Sequence, residues 1–207
     1  MPPRRAALQS LTRPQSVDDD AFDIIWPASA TRHSERHWTP VDTARQGARL
    51  LCGNQQLRVL DVGSGVGKFC IVGALTTRSH FTGIEQRLHL CQTARAVASE
   101  HAIERVRFLH GNAGNLDWSA FEAFYLFNPF QEHLNPYDDP IDDTIPLAEH
   151  RFHAYVRMTY GKLMSLPPGV RVLTYHGYGG RFPPDYACVA RERSGTDFVT
   201  VWTKVEP

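Results

Sequence analysis

Val59-Leu60-Asp61-Val62-Gly63-Ser64-Gly65-Val66-Gly67 decides the fold. An apolar run carrying an acid passes into a turn with three glycines, and a helical pattern opens at Gly67. Glycine lets the backbone turn tightly and lets a ligand approach it closely. A helix that begins there offers unpaired N–H groups. In an open parallel sheet such a turn sits at the carboxyl end of a strand, where ligands bind near the reversal of strand order.

The spacing narrows the ligand. Dinucleotides favour GxGxxG with a diphosphate over the helix N-terminus. Here the third glycine is Gly67 and position 68 is lysine, so the pattern is GxGxG behind Asp61. A carboxylate there is poorly placed for a diphosphate. It suits a cofactor with an ammonium group, or it braces the loop through backbone N–H groups.

On either side the pattern alternates. Thr39-Pro40, a capping residue followed by proline, opens a helix that Gly53-Asn54 closes. Strands are expected over 57–61, 80–85, 106–110, 123–128 and 170–175, and helices over 67–77, 88–101 and 147–166. The last helix is opened by Thr144 and Pro146 and stopped by Pro167-Pro168-Gly169. Runs 186–193 and 198–205, joined by Ser194-Gly195-Thr196-Asp197, read as a hairpin. The fold class is α/β: one doubly wound, mostly parallel, seven-stranded sheet with a C-terminal antiparallel hairpin. Residues 21–207 form one domain, and 1–20, with Pro2, Pro3, Pro14 and Asp18-Asp19-Asp20, a flexible leader. Phe22 to Trp26 is apolar and packs on the domain.

Composition removes other classes. With 42% hydrophobic and 21% charged residues, the chain is neither disordered nor fibrous. Lys plus Arg and Asp plus Glu are both 22, so the basic excess of a non-specific nucleic-acid binder is missing and a nucleic-acid partner is not expected. Cys52, Cys70, Cys91 and Cys188 form no CxxC pair, so they read as reduced thiols of a cytoplasmic protein. No stretch approaches the roughly 20 apolar residues of a membrane helix. His33 and His37 stand four apart with no third ligand to nominate, so no metal is expected.

Asp61-Val62-Gly63-Ser64-Gly65-Val66-Gly67 resembles the first motif of class I S-adenosylmethionine-dependent methyltransferases, and the order of elements from Thr39 onward resembles theirs. The resemblance implies S-adenosylmethionine as cofactor, held by Asp61, Gly63, Ser64, Gly65 and Gly67. Glu85, 24 positions after Asp61 at the end of the second strand, can accept both ribose hydroxyls, with Gln86 beside it. In similar enzymes the place of Asn112 and Ala113 reads the adenine edge; many relatives carry Asp where this chain has Asn112. Thr39-Pro40 resembles a segment that closes over the methionine end in amino-group methyltransferases.

At the fourth strand tip, Asn128 can present a carbonyl oxygen to an N–H group, and Phe130 can pack against the substrate. These are the expected catalytic residues; Asn128 also borders the cofactor. Asn128-Pro129-Phe130 resembles the Asn-Pro-Pro-Tyr motif of N-methyltransferases, with one proline where that motif has two. The segment 131–150 holds Glu132, Asp138, Asp139, Asp142, Asp143 and Glu149 and no Lys or Arg. Its negative field would attract a cationic acceptor, such as a protein lysine or a small amine. Only the neutral amine attacks, so a proton acceptor is needed: Glu132, His133, Tyr125, Tyr175 or His176. A small-molecule acceptor, a cofactor-binding module without catalysis, an aminopropyltransferase and a nicotinamide enzyme are the competing readings.

Overall fold

The computed structural model describes residues 3–13, 15–134 and 140–206. Its seven strands are β1 (Arg58–Val62), β2 (His80–Glu85), β3 (Val106–His110), β4 (Ala123–Leu126), β5 (Arg171–Tyr175), β6 (Tyr186–Ser194) and β7 (Asp197–Lys204). They form one sheet in the order β3-β2-β1-β4-β5-β7-β6. The first five are parallel, in registers such as Val62↔Ile84 and Asp61↔Tyr125; β7 runs antiparallel to β5 and β6. The chain moves outward from β1 to β3 and then returns to β4 on the other side of β1. The switch point of the sheet therefore lies between β1 and β4.

The alternation along each strand builds two cores. Val59, Ala123 and Tyr125 join one cluster; Leu60, Val62, Phe124 and Leu126 join the other. Against the first face pack α5 (Val41–Cys52), through Val41, Ala44, Ala48 and Leu51, and α6 (Lys68–Thr76), through Phe69, Ile71 and Val72. The second is covered by α8 (Glu149–Ser165), through Phe152 and Leu163. Between β2 and β3 runs α7 (Leu88–Glu100), buried through Leu90, Cys91, Ala94 and Val97. Among the described residues no helix is long and apolar enough to cross a membrane.

Three local readings are corrected. Thr39 does not cap α5: its hydroxyl is buried against the Tyr125 hydroxyl at 2.7 Å, and the Val41 N–H donates to Asp19 Oδ1 at 2.8 Å. Strand β4 stops at Leu126, because Asn128 takes φ +42°, which no strand accommodates. Thr144 does not open α8; it bonds the Asp142 carboxylate, and the helix begins at Glu149.

The N-terminal stretch is folded onto the first face. Four short helices occupy it: α1 (Pro3–Ser10), α2 (Asp19–Asp23), α3 (Ala28–Thr31) and α4 (Ser34–His37). Ala7, Leu11, Phe22, Ile25 and Trp26 enter the core there. The Lys68 ammonium, buried at the start of α6, pairs with Asp19 and with Asp23 at 2.6 Å, and Trp26 Nε1 donates to the Val66 carbonyl at 2.9 Å. These contacts seat residues 19–38 beside the glycine turn.

Candidate functional site

A cleft of about 500 Å³ opens over the carboxyl ends of β1, β2, β3, β4 and β5, at the switch point. That volume suits a drug-sized ligand. Its floor is the glycine turn. Gly63 has φ +75°, donates its N–H to the Ile84 carbonyl, and lies so near Pro129 that a Cβ would stand 3.3 Å from the proline Cβ. Gly65 has φ +54° and lines the cleft, and a Cβ there would meet no atom within 4 Å. Gly67 serves packing instead. At φ +81° it starts α6, and a Cβ would stand 2.3 Å from the Phe108 ring. It lets helix and sheet close on each other and does not face the cleft.

Glu85 forms the wall next to this floor. Its Oε2 accepts from the Gly65 N–H at 2.9 Å and its Oε1 from the Arg87 N–H at 2.8 Å. Burial pushes its carboxyl above the ordinary range, against the pull of those N–H groups. A carboxylate offers about four lone-pair sites, so two remain for other donors. The Asn112 side chain caps its own turn, accepting from the Gly114 N–H at 2.8 Å, and donates to Tyr155 Oη at 2.9 Å. Tyr155 in turn donates to Gln86 Oε1 at 3.1 Å. This chain from β2 through α8 to the turn after β3 shapes the cleft opposite the β4 tip.

Of the expected site residues, Gly63, Gly65, Glu85, Gln86, Asn112, Ala113, Asn128 and Phe130 line the cleft. Asp61, Ser64, Gly67 and Thr39 do not. Asp61 lies in the core beneath the turn, where Cys70 Sγ approaches its Oδ2 at 3.4 Å, and burial raises its pKa to about 7. Among the described residues its hydrogen-bond partner is α6, through Cys70, and not the turn. Ser64 faces β2: a Cβ on Gly83 would stand 2.5 Å from its hydroxyl. Phe130 borders the cleft, but its ring is buried and stacked on Tyr155, centroids 5.1 Å apart, so it is a wall more than a free stacking surface. Asn128 is half-buried, and its side-chain amide has no hydrogen-bond partner among the described residues.

Two acids of the 131–150 segment are paired. Arg87, buried at the β2 tip, donates to Glu132 and to Asp142, each at 2.9 Å. Those bonds outweigh the cost of burial and raise its pKa. Beside this clamp Ile141, Ile145 and Leu147 form an apolar side of the cleft. Asp138 and Asp139 lie outside the described residues; Asp143 and Glu149 are exposed. Arg87, Trp38, Phe127 and Tyr155 are cleft residues that motif reading passes over, because each arrives through tertiary packing and none stands in a spaced pattern; His37, read only as half of a histidine pair, lines the cleft as well.

Residues 54–135 match a family model described as a methyltransferase domain, and they carry the glycine turn, Glu85, Asn112 and Asn128. No curated protein matches the sequence. Among solved structures, an RNA methyltransferase from Salinibacter ruber in complex with S-adenosyl-L-homocysteine is similar, with a TM-score of 0.59 and 22% identity over 82% of this chain and 94% of that one. TrmN from Thermus thermophilus has a TM-score of 0.61 and 24% identity over 85% of this chain, which spans 53% of that protein. A methyltransferase from Pyrococcus furiosus has a TM-score of 0.58 and 11% identity, covering 86% and 95% of the two chains. The fold is that of class I methyltransferases, a mostly parallel seven-stranded sheet with antiparallel C-terminal strands.

Proposed function

We propose that this protein is an S-adenosylmethionine-dependent methyltransferase that acts on a nitrogen nucleophile, an amine of a protein or of a small molecule. The observation that carries it is the open cleft in which Glu85, while bracing Gly65, keeps lone pairs for a sugar. When bound, the cofactor supplies a sulfonium methyl group. Glu85 would hold its ribose hydroxyls, Gly63 and Gly65 would permit close backbone approach, and Asn112, Ala113 and Gln86 would border its base. Asp61 lies buried in the core at the foot of the turn.

Asn128 sits at the other end of the cleft, with its backbone N–H bonded to the Gly177 carbonyl at 2.9 Å and its amide unpaired among the described residues. Its side-chain oxygen can hold an acceptor N–H in line for transfer, which is catalysis by positioning. Phe127 and Tyr175 supply aromatic sides. Neutral net charge and this fold do not exclude a nucleic acid, since the fold is shared with an RNA methyltransferase. The amine reading and the nucleic-acid reading part in one experiment. Protein, radiolabelled cofactor and cell lysate are incubated together, and the lysate is then fractionated. Label in protein or small amines supports the proposal, label in RNA moves the acceptor class, and cofactor binding without any transfer leaves a binding module.

A further inference from the structure

We infer that His176 and Asp197 are the proton-accepting pair of the reacting end, taking a proton from an acceptor that arrives as a cationic amine. The inference rests on the methyl-transfer reading and extends it to the protonation state of the acceptor. His176 follows β5 directly and lines the cleft with Tyr175, Phe127 and Asn128. Its Nδ1 lies 2.7 Å from Asp197 Oδ2. Asp197 reaches that place because the hairpin closes on the pair Ser194↔Asp197 while β7 runs back along β5, with Tyr175↔Val199 in register. A carboxylate on Nδ1 fixes the tautomer that leaves Nε2 as the base. Nε2 has no hydrogen-bond partner among the described residues, and the side chain is 39% exposed, so solvent and a ligand both reach it.

Backbone conformation points to the same corner. Among the described residues four that are not glycine take positive φ: Ala102, Arg105, Asn128 and His176. Only the last two line the cleft, at the tips of adjacent strands and tied by the bond from the Asn128 N–H to the Gly177 carbonyl. Such conformations persist where the surroundings over-determine them, and they gather at active sites.

The other candidate bases are engaged. Tyr125 is buried on Thr39, Tyr175 donates to the Ser194 carbonyl, and Glu132 is bound by Arg87. The His133 ring is buried against Tyr155, and its Nδ1 accepts from the Ala148 N–H.

The proton balance is simple. An ammonium proton passes to Nε2, the imidazolium is paired with Asp197, and the amine is left neutral with its lone pair beside Asn128. After transfer the half-exposed ring returns the proton to water.

The test is NMR of the full chain with histidine labelled at nitrogen, titrated with S-adenosylhomocysteine and then with S-adenosylmethionine. The two differ by one positive charge where the methyl sits. The titratable groups that face the His176 ring are Asp197 and Tyr175, and Glu35, Arg36 and His37 line the same cleft. The charge on the methylated cofactor should move the His176 ring-nitrogen resonances relative to the demethylated one, while the proton stays on Nδ1. Asp197→Asn should lose the fixed tautomer in both states. His176→Gln assigns the resonance and should cut label transfer to lysate about 100-fold at pH 7, with partial recovery at pH 9, where more acceptor is already neutral. His176 ring-nitrogen resonances that are the same with both cofactor forms, both being bound, overturn the inference and leave methyl transfer standing. So does full label transfer by His176→Gln at pH 7. Binding of neither form overturns the methyl-transfer reading itself.

Discussion

Glu85→Gln separates the ligand role of Glu85 from its bracing role. In the wild type each carboxylate oxygen accepts one backbone N–H, from Gly65 at 2.9 Å and from Arg87 at 2.8 Å. A carboxamide keeps one acceptor oxygen and turns its NH2 against the other N–H. One charge-assisted bond is lost, and the capacity to accept from two ribose hydroxyls falls to one. Each such bond is worth about 1.5–3 kcal/mol, so affinity for S-adenosylhomocysteine should fall roughly 10- to 150-fold. Folding should suffer less, because burial already penalises the charge at this site and a neutral side chain escapes that penalty. Calorimetric titration at about pH 7.5, well above the ordinary carboxylate range, gives the affinity, and urea melts of the free proteins give the stability. Affinity within twofold of wild type in a folded variant would refute the assignment of Glu85 to the sugar. A large loss of stability with unchanged affinity per folded molecule would make it a structural brace alone.

Gly65→Arg should leave the fold intact at a cost of about 1–2 kcal/mol for φ +54°, yet abolish binding of S-adenosylhomocysteine, because the side chain enters the cleft; retained binding by calorimetry would refute the placement of the turn. Asp61 carries a pKa raised from 3.8 to about 7, so its contribution to stability is complete below the lower value and is lost as pH rises through the upper one. Asp61→Asn should therefore gain on wild type between pH 5 and pH 8, by on the order of 2 kcal/mol in denaturant melts; an equal difference at both pH values would show that the carboxyl is not buried as described. Lys68→Met removes the cation from the buried Asp23 carboxylate and should cost about 3–5 kcal/mol, whereas Lys68→Met with Asp23→Leu should recover most of it; equal loss in single and double variants would deny the ion pair its role in seating the N-terminal stretch.

What was legible follows from the range of the interactions. Strands β2 and β3 end where their periodicity ends, at 80–85 and 106–110, because alternation is a local property. The glycine turn and Glu85 were legible for the same reason: two strand tips in parallel register bring them together. The position of Asp61 was not legible, because a motif records that a residue is needed without saying on which side of the backbone. In β1 the pleat gives Leu60 and Val62 to one face and Asp61 to the other, toward Cys70 and away from the cleft. Asn112, Tyr155 and Gln86 are joined across 43 and 69 residues, and no local pattern announces such a chain.

Two segments hold acids whose partners lie far off in the chain. Residues 1–20 read as a flexible leader because of their prolines and Asp18-Asp19-Asp20; residues 131–150 read as a negative field. A charge count treats each acid as facing water, since an unpaired charge is seldom buried. The count fails when the cation comes from elsewhere. Lys68, 49 residues beyond Asp19, gathers Asp19 and Asp23 at the base of the glycine turn. Arg87, 45 and 55 residues before Glu132 and Asp142, holds those two acids beside the cleft. Both cations follow strand tips of the cleft, one just past the turn after β1 and one just past Glu85. Acids distant in sequence are thereby brought to the two sides of the same site. Both walls of the cleft depend on paired charge as well as apolar packing, so Arg87→Met should loosen the second wall as Lys68→Met does the first.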